Sequence, residues 1–486
     1  MQELAERFTT LLAKMPMAMV LVPFAIGILF AEQVVLPLWL IFAICIVALA
    51  GVILLSKWQQ NIALFALIFA VGTLLHSSSY RGEIPYNKPL EIVLNIETSS
   101  IDRKGYTSAE AKIEVCEDAA VAGREVVLWG DSLMHFKAGD RLHLTTTIRP
   151  FRAEREAYAR LMHHRGFIGA ISVNHRATYE YIPSERATLH DRAVERLQAT
   201  MEPSDARAVV LAMTTGDRGE IRSELRQNYS ASGASHLLAV SGLHIGIAFM
   251  LINLLLLPLV ILHYGNLLRS ILAVALIWCY VWLCGMSPSA VRAAIMFSLL
   301  QFSLSSLREY ASINILASTA FIMVAFDSHL LFDISFQLSF IAVAGIVLWA
   351  IPLYRLCATR SRVANTIIGI LAVGIASTLA TMPLVANTFS TISLVGILIN
   401  PAVIVLANII VLAGIIALAV PPAAIVAEMA AEWQNRIVEW AAALPYGHFD
   451  IAISEWVMWG AYTVFAAVTI LLLLLPKREK EPKIKG

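Results

Sequence analysis

The string Ser235-His-Leu-Leu-Ala-Val-Ser-Gly-Leu-His-Ile-Gly246 sets two imidazoles, a serine hydroxyl and two glycines at the start of a long apolar stretch. Read as one helix, it puts Ser235, Ala239, Gly242 and Gly246 on a stripe of small residues, with His236, Val240 and His244 on the stripe beside it. Ser241 and His244 are one turn apart, the spacing of a nucleophile and its base, yet no acid follows to orient the histidine. Three uses fit these residue types. Small side chains let another helix approach while the histidines hydrogen-bond across the gap, the polar groups line a conduit, or Ser241 serves an intramembrane hydrolase.

A second constellation, Gly285-Met-Ser-Pro-Ser-Ala-Val-Arg-Ala-Ala-Ile-Met296, reads as a helix start. Ser287 is placed to cap it, Pro288 suits its first turn, and Arg292 follows one turn in. An arginine there either snorkels to the surface or presents a fixed, planar guanidinium to an anionic phosphate. Asp333 and Gln337, one turn apart, and the amides Asn314, Asn387, Asn400 and Asn408 add polar groups within apolar surroundings. Helix-to-helix hydrogen bonds account for each alone, and a lined cavity accounts for them together.

Another chemistry is suggested upstream. Arg141, Arg149, Arg152, Arg155, Arg160, Arg165 and Arg176 outnumber Glu154 and Glu156 and are interleaved with Phe151, Tyr158 and Phe167. A basic groove with aromatic platforms is what gripping a single-stranded nucleic acid requires, and a solvated face over ordinary core aromatics has the same composition. His163 and His164 are adjacent and point different ways, a poor metal pair. There is no phosphate-cradling Gly-x-x-x-x-Gly-Lys-Ser/Thr loop and no His-x-His-x-Asp-His cluster for a zinc pair. The five cysteines form no Cys-x-x-Cys pair. No metal, cofactor or enzyme activity is expected.

These groups must be positioned by a membrane body. The chain has 486 residues, 58% hydrophobic and only 15% charged, with a mean hydropathy of +0.72. An ordinary soluble domain is nearer about a quarter charged. Stretches without Asp, Glu, Lys or Arg run between Arg226 and Arg269, Arg269 and Arg292, Arg292 and Arg308, Asp333 and Arg355, and Arg362 and Glu428. Each can hold a helix, because an ionisable group at bilayer depth costs about 2.5 to 3.5 kcal/mol. We therefore expect a polytopic α-helical membrane protein with an inserted small β domain. Its parts are an anchor of about three helices over 1–80, the β domain over 81–186, amphipathic linker helices over 187–234, the polytopic body over 235–476 and a basic tail over 477–486. Alternating runs such as Glu91–Glu97, Lys112–Cys116 and Arg141–Ile148 carry the β expectation.

Basic connections place the tail inside and the β domain outside the cytoplasmic membrane. Counting crossings works as far as Arg362. The last three candidates, near 366–385, 393–418 and 457–475, would leave the tail on the wrong side, so Pro383 or Asn400-Pro401 is expected to mark a broken or re-entrant element. The segment Glu428 to Leu444, with Trp433 and Trp440, is expected to lie along the interface.

The motifs together resemble the ComEC competence proteins. The resemblance rests on Gly216-Asp-Arg218, Gly233-Ala-Ser-His-Leu-Leu-Ala-Val-Ser-Gly-Leu-His244, Pro288, Arg292-Ala-Ala-Ile-Met296, Asn314, Asp327, Phe332-Asp-Ile-Ser-Phe-Gln-Leu-Ser-Phe340, Pro383 and Asn400-Pro401, in order along nearly the whole chain. Departures are Ser335, Ser328 and the segment from Arg152. The resemblance implies an OB-like fold for the β domain and an inner-membrane channel for single-stranded DNA in natural transformation. The conduit would be lined by His236, Ser241, His244, Arg292, Asn314, Asp333, Gln337 and Asn400, and the strand received by Arg141, Arg149, Arg152, Arg155, Tyr158 and Arg165. It also implies membrane lipid as surroundings and three separate partners: a nuclease, a periplasmic DNA receptor and a cytoplasmic DNA-translocating ATPase. Family members often continue into a metallo-β-lactamase-like domain, and this sequence is expected to be the channel without it. An intramembrane hydrolase using Ser241, or a small-solute transporter whose β domain binds a partner, is the alternative.

Overall fold

The computed structural model describes residues 14–34, 36–56, 58–79, 84–101, 107–118, 120–131, 139–151, 159, 162, 166–173, 179–182, 189–303, 311–389, 391–393, 395–444 and 448–474. Three apolar helices come first, α1 (Pro16–Gln33), α2 (Leu38–Leu54) and α3 (Trp58–Ser79). α1 and α3 meet at two glycines, since a β carbon on Gly27 would be driven into the Phe69 carbonyl and one on Gly72 into the Phe24 carbonyl. Small residues bring membrane helices this close, and van der Waals contact then replaces the hydrophobic effect as the driving force. Thr73 adds a 3.0 Å hydrogen bond to the Gly27 carbonyl.

The β domain follows with β1 (Pro89–Ile101), β2 (Thr107–Cys116), β3 (Glu125–Gly130), β4 (Arg141–Thr147), β5 (Phe167–Val173) and β6 (Tyr179–Ile182), in the order β5-β3-β2-β1-β4-β6. β3 and β5 run parallel, the other pairs antiparallel, and an Arg149–Ala170 bridge joins the end of β4 back to β5. That closes five strands into the Greek-key barrel expected of an OB-like fold, with β6 added along β4. Alternate residues Ile92, Leu94 and Ile96 of β1 point inward with Leu142 and Leu144 of β4, which fixes the register.

Amphipathic α4 (Leu189–Gln198), α5 (Asp205–Thr214) and α6 (Ser223–Ala231) lead into the body: α7 (Gly242–Leu255), α8 (Gly265–Leu283), α9 (Pro288–Ser303), α10 (Ala311–Phe326), α11 (Ile334–Cys357), α12 (Arg362–Phe389), β7 (Thr391–Ser393), α13 (Val395–Ala417), α14 (Ala423–Ala442), β8 (His448–Asp450) and α15 (Glu455–Leu474). Among the described residues six helices, α1, α3, α8, α11, α12 and α13, are long and apolar enough to cross a membrane, with α2, α7, α9, α10 and α15 shorter and apolar. Buried α5, capped by Ser204, packs in one core with α13 and the alanine-rich face of α14. α14 leaves Trp433 and Trp440 outward at 58% and 56% exposure.

No break occurs at Pro383 or Pro401. Both prolines lie inside continuous helices, α12 and α13. Neighbouring groups make up for the lost backbone donor in such helices, and Tyr462 donates to the Ala380 carbonyl in the turn that Pro383 disturbs. The crossing count is restored differently. β7 pairs antiparallel with β8, so the chain leaves Ser393 through α13 and returns through α14 to the same place. α13 and α14 are thus an out-and-back pair, which leaves α12 and α15 as the single passages on either side of it. In a cysteine-free background, Phe389→Cys and Phe449→Cys are expected to react with a membrane-impermeant maleimide from one and the same side. Labelling from opposite sides would refute the pairing.

Candidate functional site

Ser235–Gly246 is not one helix. Ser235–Leu238 form a short 3-10 turn, Ala239 (φ −109°, ψ 145°) and Ser241 (φ −109°, ψ 171°) are extended, and α7 begins at Gly242. The stripe of small residues predicted across the string therefore does not exist. Ser241 is the N-cap, and His244 three residues on completes the capping arrangement by accepting the Ser241 backbone N–H on Nδ1 at 3.1 Å. That bond determines the tautomer. With Nδ1 accepting, the proton of the neutral ring sits on Nε2, which is buried without a partner. Neither ring nitrogen of His244 is then a base for the Ser241 hydroxyl.

The break is built from three knitted segments. Gly216, at φ +87°, allows the chain after α5 to pass so close that an added β carbon would lie 3.0 Å from the Cys284 carbonyl. Tyr280 donates to the Thr214 carbonyl at 3.0 Å. Gly285 (φ +73°) and Met286 (φ +53°) take left-handed conformations that turn the chain sharply into Pro288 at the start of α9. The Ser289 hydroxyl then donates to the Val240 carbonyl, tying the start of α9 to the break before α7. Ser287 stands at the N-cap, but its hydroxyl is buried and unpaired instead of capping. Ser235, His236, Gly242, Gly285 and Met286 are exposed at this junction, the mouth, where α8 ends and α7 and α9 begin.

Arg292 is 3% exposed, with Nε and Nη1 lacking partners. It does not snorkel. Its guanidinium is held within protein, and the acid that acts on it is Asp333. Asp333 caps α11 by accepting from the Phe336 N–H at 2.8 Å, and Gln337 donates to the Leu331 carbonyl at 2.9 Å. His244 has His236 as its titratable neighbour. The sequence candidates thus fall into two groups, His236, Ser241 and His244 at the mouth, and Arg292 in the second turn of α9 with Asp333 at the start of α11 and Gln337 one turn on. Asn400 is a third location, its Oδ1 buried and unpaired on α13 with that of Asn408. Asn314 belongs to none of these. It donates to the Lys14 carbonyl at 2.9 Å and accepts from the Met17 N–H at 3.3 Å, fastening α10 to the start of α1.

A broken helix beside buried, unpaired donors coincides with a family match: the family described as "Competence protein" covers residues 213–478. The chain belongs to the competence protein family. It is 27% identical over 295 residues to an uncharacterized protein of Aquifex aeolicus, covering 60% of this chain and 63% of that one. It is 26% identical over 294 residues to ComE operon protein 3 of Bacillus subtilis, covering 59% and 37%, and 27% identical over 234 residues to the uncharacterized protein YcaI of Escherichia coli, covering 46% and 30%. The chain spans less than two thirds of the length of each of these relatives. No solved structure matches it. Its apolar helices make this competence protein a multi-pass membrane protein.

In this competence protein the β barrel lies outside the family match, and of the residues expected to receive a strand the described ones are Arg141 and Arg149. Arg141 is ion-paired with Glu114 at 3.0 Å, and Arg149 takes part in barrel closure through its backbone. Arg152, Arg155, Tyr158 and Arg165 lie outside the described residues. Phe167 is buried with Phe151 packed on it, so these two are core aromatics and not platforms. Carboxylates that counting over 141–176 overlooked come from other strands. Glu91 and Glu180 flank His143 at 2.9 and 3.6 Å. Glu125 is pushed up to about 7, first by burial and then by the nearby charges of Glu97, Glu110 and Asp327. Trp129, 38% exposed between Ser108 and Ser172 on the neighbouring strands, and Tyr181, 41% exposed on β6, are open aromatics outside the expected set. The run Glu125-Val-Val-Leu-Trp-Gly130 does not alternate, so the sequence carried no signal for Trp129. A further missed contact fastens the anchor to the body. Buried His76 of α3 lies 2.9 Å from the Ser328 hydroxyl and 2.8 Å from Glu32.

Proposed function

We propose that this competence protein is the membrane channel through which single-stranded DNA is taken up, with the β barrel on the outer face of the cytoplasmic membrane receiving the strand. The observation that carries the reading is Arg292, a guanidinium buried among apolar helices with two nitrogens unpaired. Such a group is costly to keep unless it serves an anion that comes and goes. Single-stranded DNA brings about one negative charge per nucleotide, and a conduit for it needs isolated cations and polar groups that do not retain any one phosphate. The mouth at the start of α7 and α9 offers His236 and Ser241 before Arg292, and the dipoles of both helices place partial positive charge there.

The name of the Bacillus subtilis relative, ComE operon protein 3, agrees with this reading. On it, a separate nuclease, a periplasmic DNA receptor and a cytoplasmic translocating ATPase would act with the channel, since one strand must be removed, delivered and pulled. The test is deletion of the gene in its host followed by import of labelled DNA. Import into the cytoplasm is expected to fall to background while DNA still binds the cell surface, and plasmid-borne gene restores it. Unchanged import in the deletion strain refutes the channel.

A further inference from the structure

His76 and its neighbours belong neither to the mouth nor to the buried arginine. The ring is fully buried at the end of α3 that leads into the barrel, and its two nitrogens are committed to two other elements. Nε2 lies 2.8 Å from the Glu32 carboxylate near the end of α1, and Nδ1 lies 2.9 Å from the Ser328 hydroxyl. A carboxylate only accepts, so the neutral ring keeps its proton on Nε2 and receives the Ser328 O–H on Nδ1. One imidazole therefore joins α1, α3 and the segment after α10. An ionisable group among apolar helices is costly, and proton exchange is a recurrent reason to keep one.

The segment that His76 holds is itself braced. Ser328–Phe332 form a 3-10 turn between α10 and α11, and Asp327 caps it by accepting the His329 N–H at 3.0 Å. The Asp333 N–H closes onto the Leu330 carbonyl at 3.1 Å, and the Asp333 carboxylate then caps α11. A hold on Ser328 is thus passed to the start of α11. The titratable and charged groups around the ring are Glu32, His329 and Asp327, with Arg124 of the barrel bearing on His329 and Glu125 on Asp327. His329 stands 5.2 Å from His76, ring to ring, and Phe332 stands 5.6 Å away on the apolar side. Burial holds His329 below its ordinary value against the pull of Asp327, and a charge on His76 acts on it in the same direction as burial. The two rings therefore take up one proton before a second.

We infer that His76 is a proton-operated clasp between the anchor and the segment entering α11, tightening when the ring takes up a proton and slackening when it loses one. The incoming proton binds Nδ1, the Ser328 hydroxyl turns from donor to acceptor, and the 2.8 Å bond to Glu32 becomes an ion pair. Hydrogen bonds between charged partners are the stronger ones. Histidine suits this role because its charge changes between about pH 5 and about pH 8. The clasp does not depend on the channel reading.

The test is hydrogen exchange, read by mass spectrometry, in peptides spanning 327–333 of the full chain in phosphatidylcholine nanodiscs. After correction for the intrinsic rate, exchange in the parent is expected to slow about tenfold between about pH 7.5 and about pH 5.5, the range in which a histidine gains charge. His76→Gln keeps a hydrogen-bonding amide that gains no proton there, and Glu32→Gln removes the charge the proton would meet. Both are expected to exchange alike at the two pH values. Ser328→Ala leaves His76 and Glu32 together but cuts the tie, so it also loses the response while keeping the parent's size-exclusion profile. His329→Gln keeps the response. A parent that exchanges alike at both pH values overturns the clasp, and so does a response that persists in His76→Gln or disappears in His329→Gln. Where His76→Gln loses the parent's size-exclusion peak, Ser328→Ala decides, and a response retained there overturns the clasp.

Discussion

Arg292→Ala is expected to cut import of labelled DNA into the cytoplasm about a hundredfold while leaving surface-bound DNA and protein level as they are. Hydrogen bonds to a charged group contribute about 1.5 to 3 kcal/mol each, and the upper value corresponds to about a hundredfold. Protein level holds because two of the three guanidinium nitrogens have no partner to lose. Removing a buried, partly unsatisfied charge relieves desolvation instead of breaking a network. Arg292→Lys separates charge from geometry. It keeps a cation facing Asp333 but loses the planar fork, and is expected to recover roughly a tenth of import. Normal import in Arg292→Ala would take the arginine off the path, and equal import in the alanine and lysine variants would show that its charge is not what the strand meets.

The second large effect is on folding. Gly27→Val is expected to destabilise the anchor by about 3 kcal/mol or more, read as a lower melting temperature of the detergent-purified chain and loss of the monodisperse peak. The atom opposing a new side chain is the Phe69 carbonyl, with the Thr73 amide nitrogen 3.1 Å away, so the obstruction is backbone and cannot rotate aside. The helices would have to separate, and the Thr73 bond to the Gly27 carbonyl would be lost with them. Gly460→Val is the control, since nothing lies within 4 Å of a β carbon there. It should stay within about 0.5 kcal/mol of the parent. Equal stability of the two variants would show that α1 and α3 do not rely on this contact.

The two effects lie at different depths of legibility. Arg292 stands out in the sequence as a lone cation in an apolar stretch, and the structure adds that it is buried and partly unpaired. Gly27 and Gly72 carry no sequence signal of their own, since their importance comes from facing one another across two helices. His244 shows a third case. Its type and spacing from Ser241 suggested catalysis, but a 3.1 Å bond to a backbone N–H makes it a helix cap.

Charge exclusion from hydrocarbon is a local and additive rule, so the apolar helices, the β strands around Glu91, Lys112 and Arg141 and the amphipathic α4 and α5 followed from the sequence by itself. Which side chains meet was decided by tertiary structure. Arg141 reads as a free cation in its own run, yet Glu114 from a different strand reaches it once the barrel closes. The break at Ala239–Ser241 lies in unbroken hydropathy and is made by a cap, while Pro383 and Pro401, the obvious breakers, are carried through by helices that pack around them. Periodicity and composition report what each residue prefers toward water or lipid. Pairing between residues far apart in the chain depends on the packed fold, and that decided that the candidate residues form a mouth and a separate buried arginine instead of one continuous stripe.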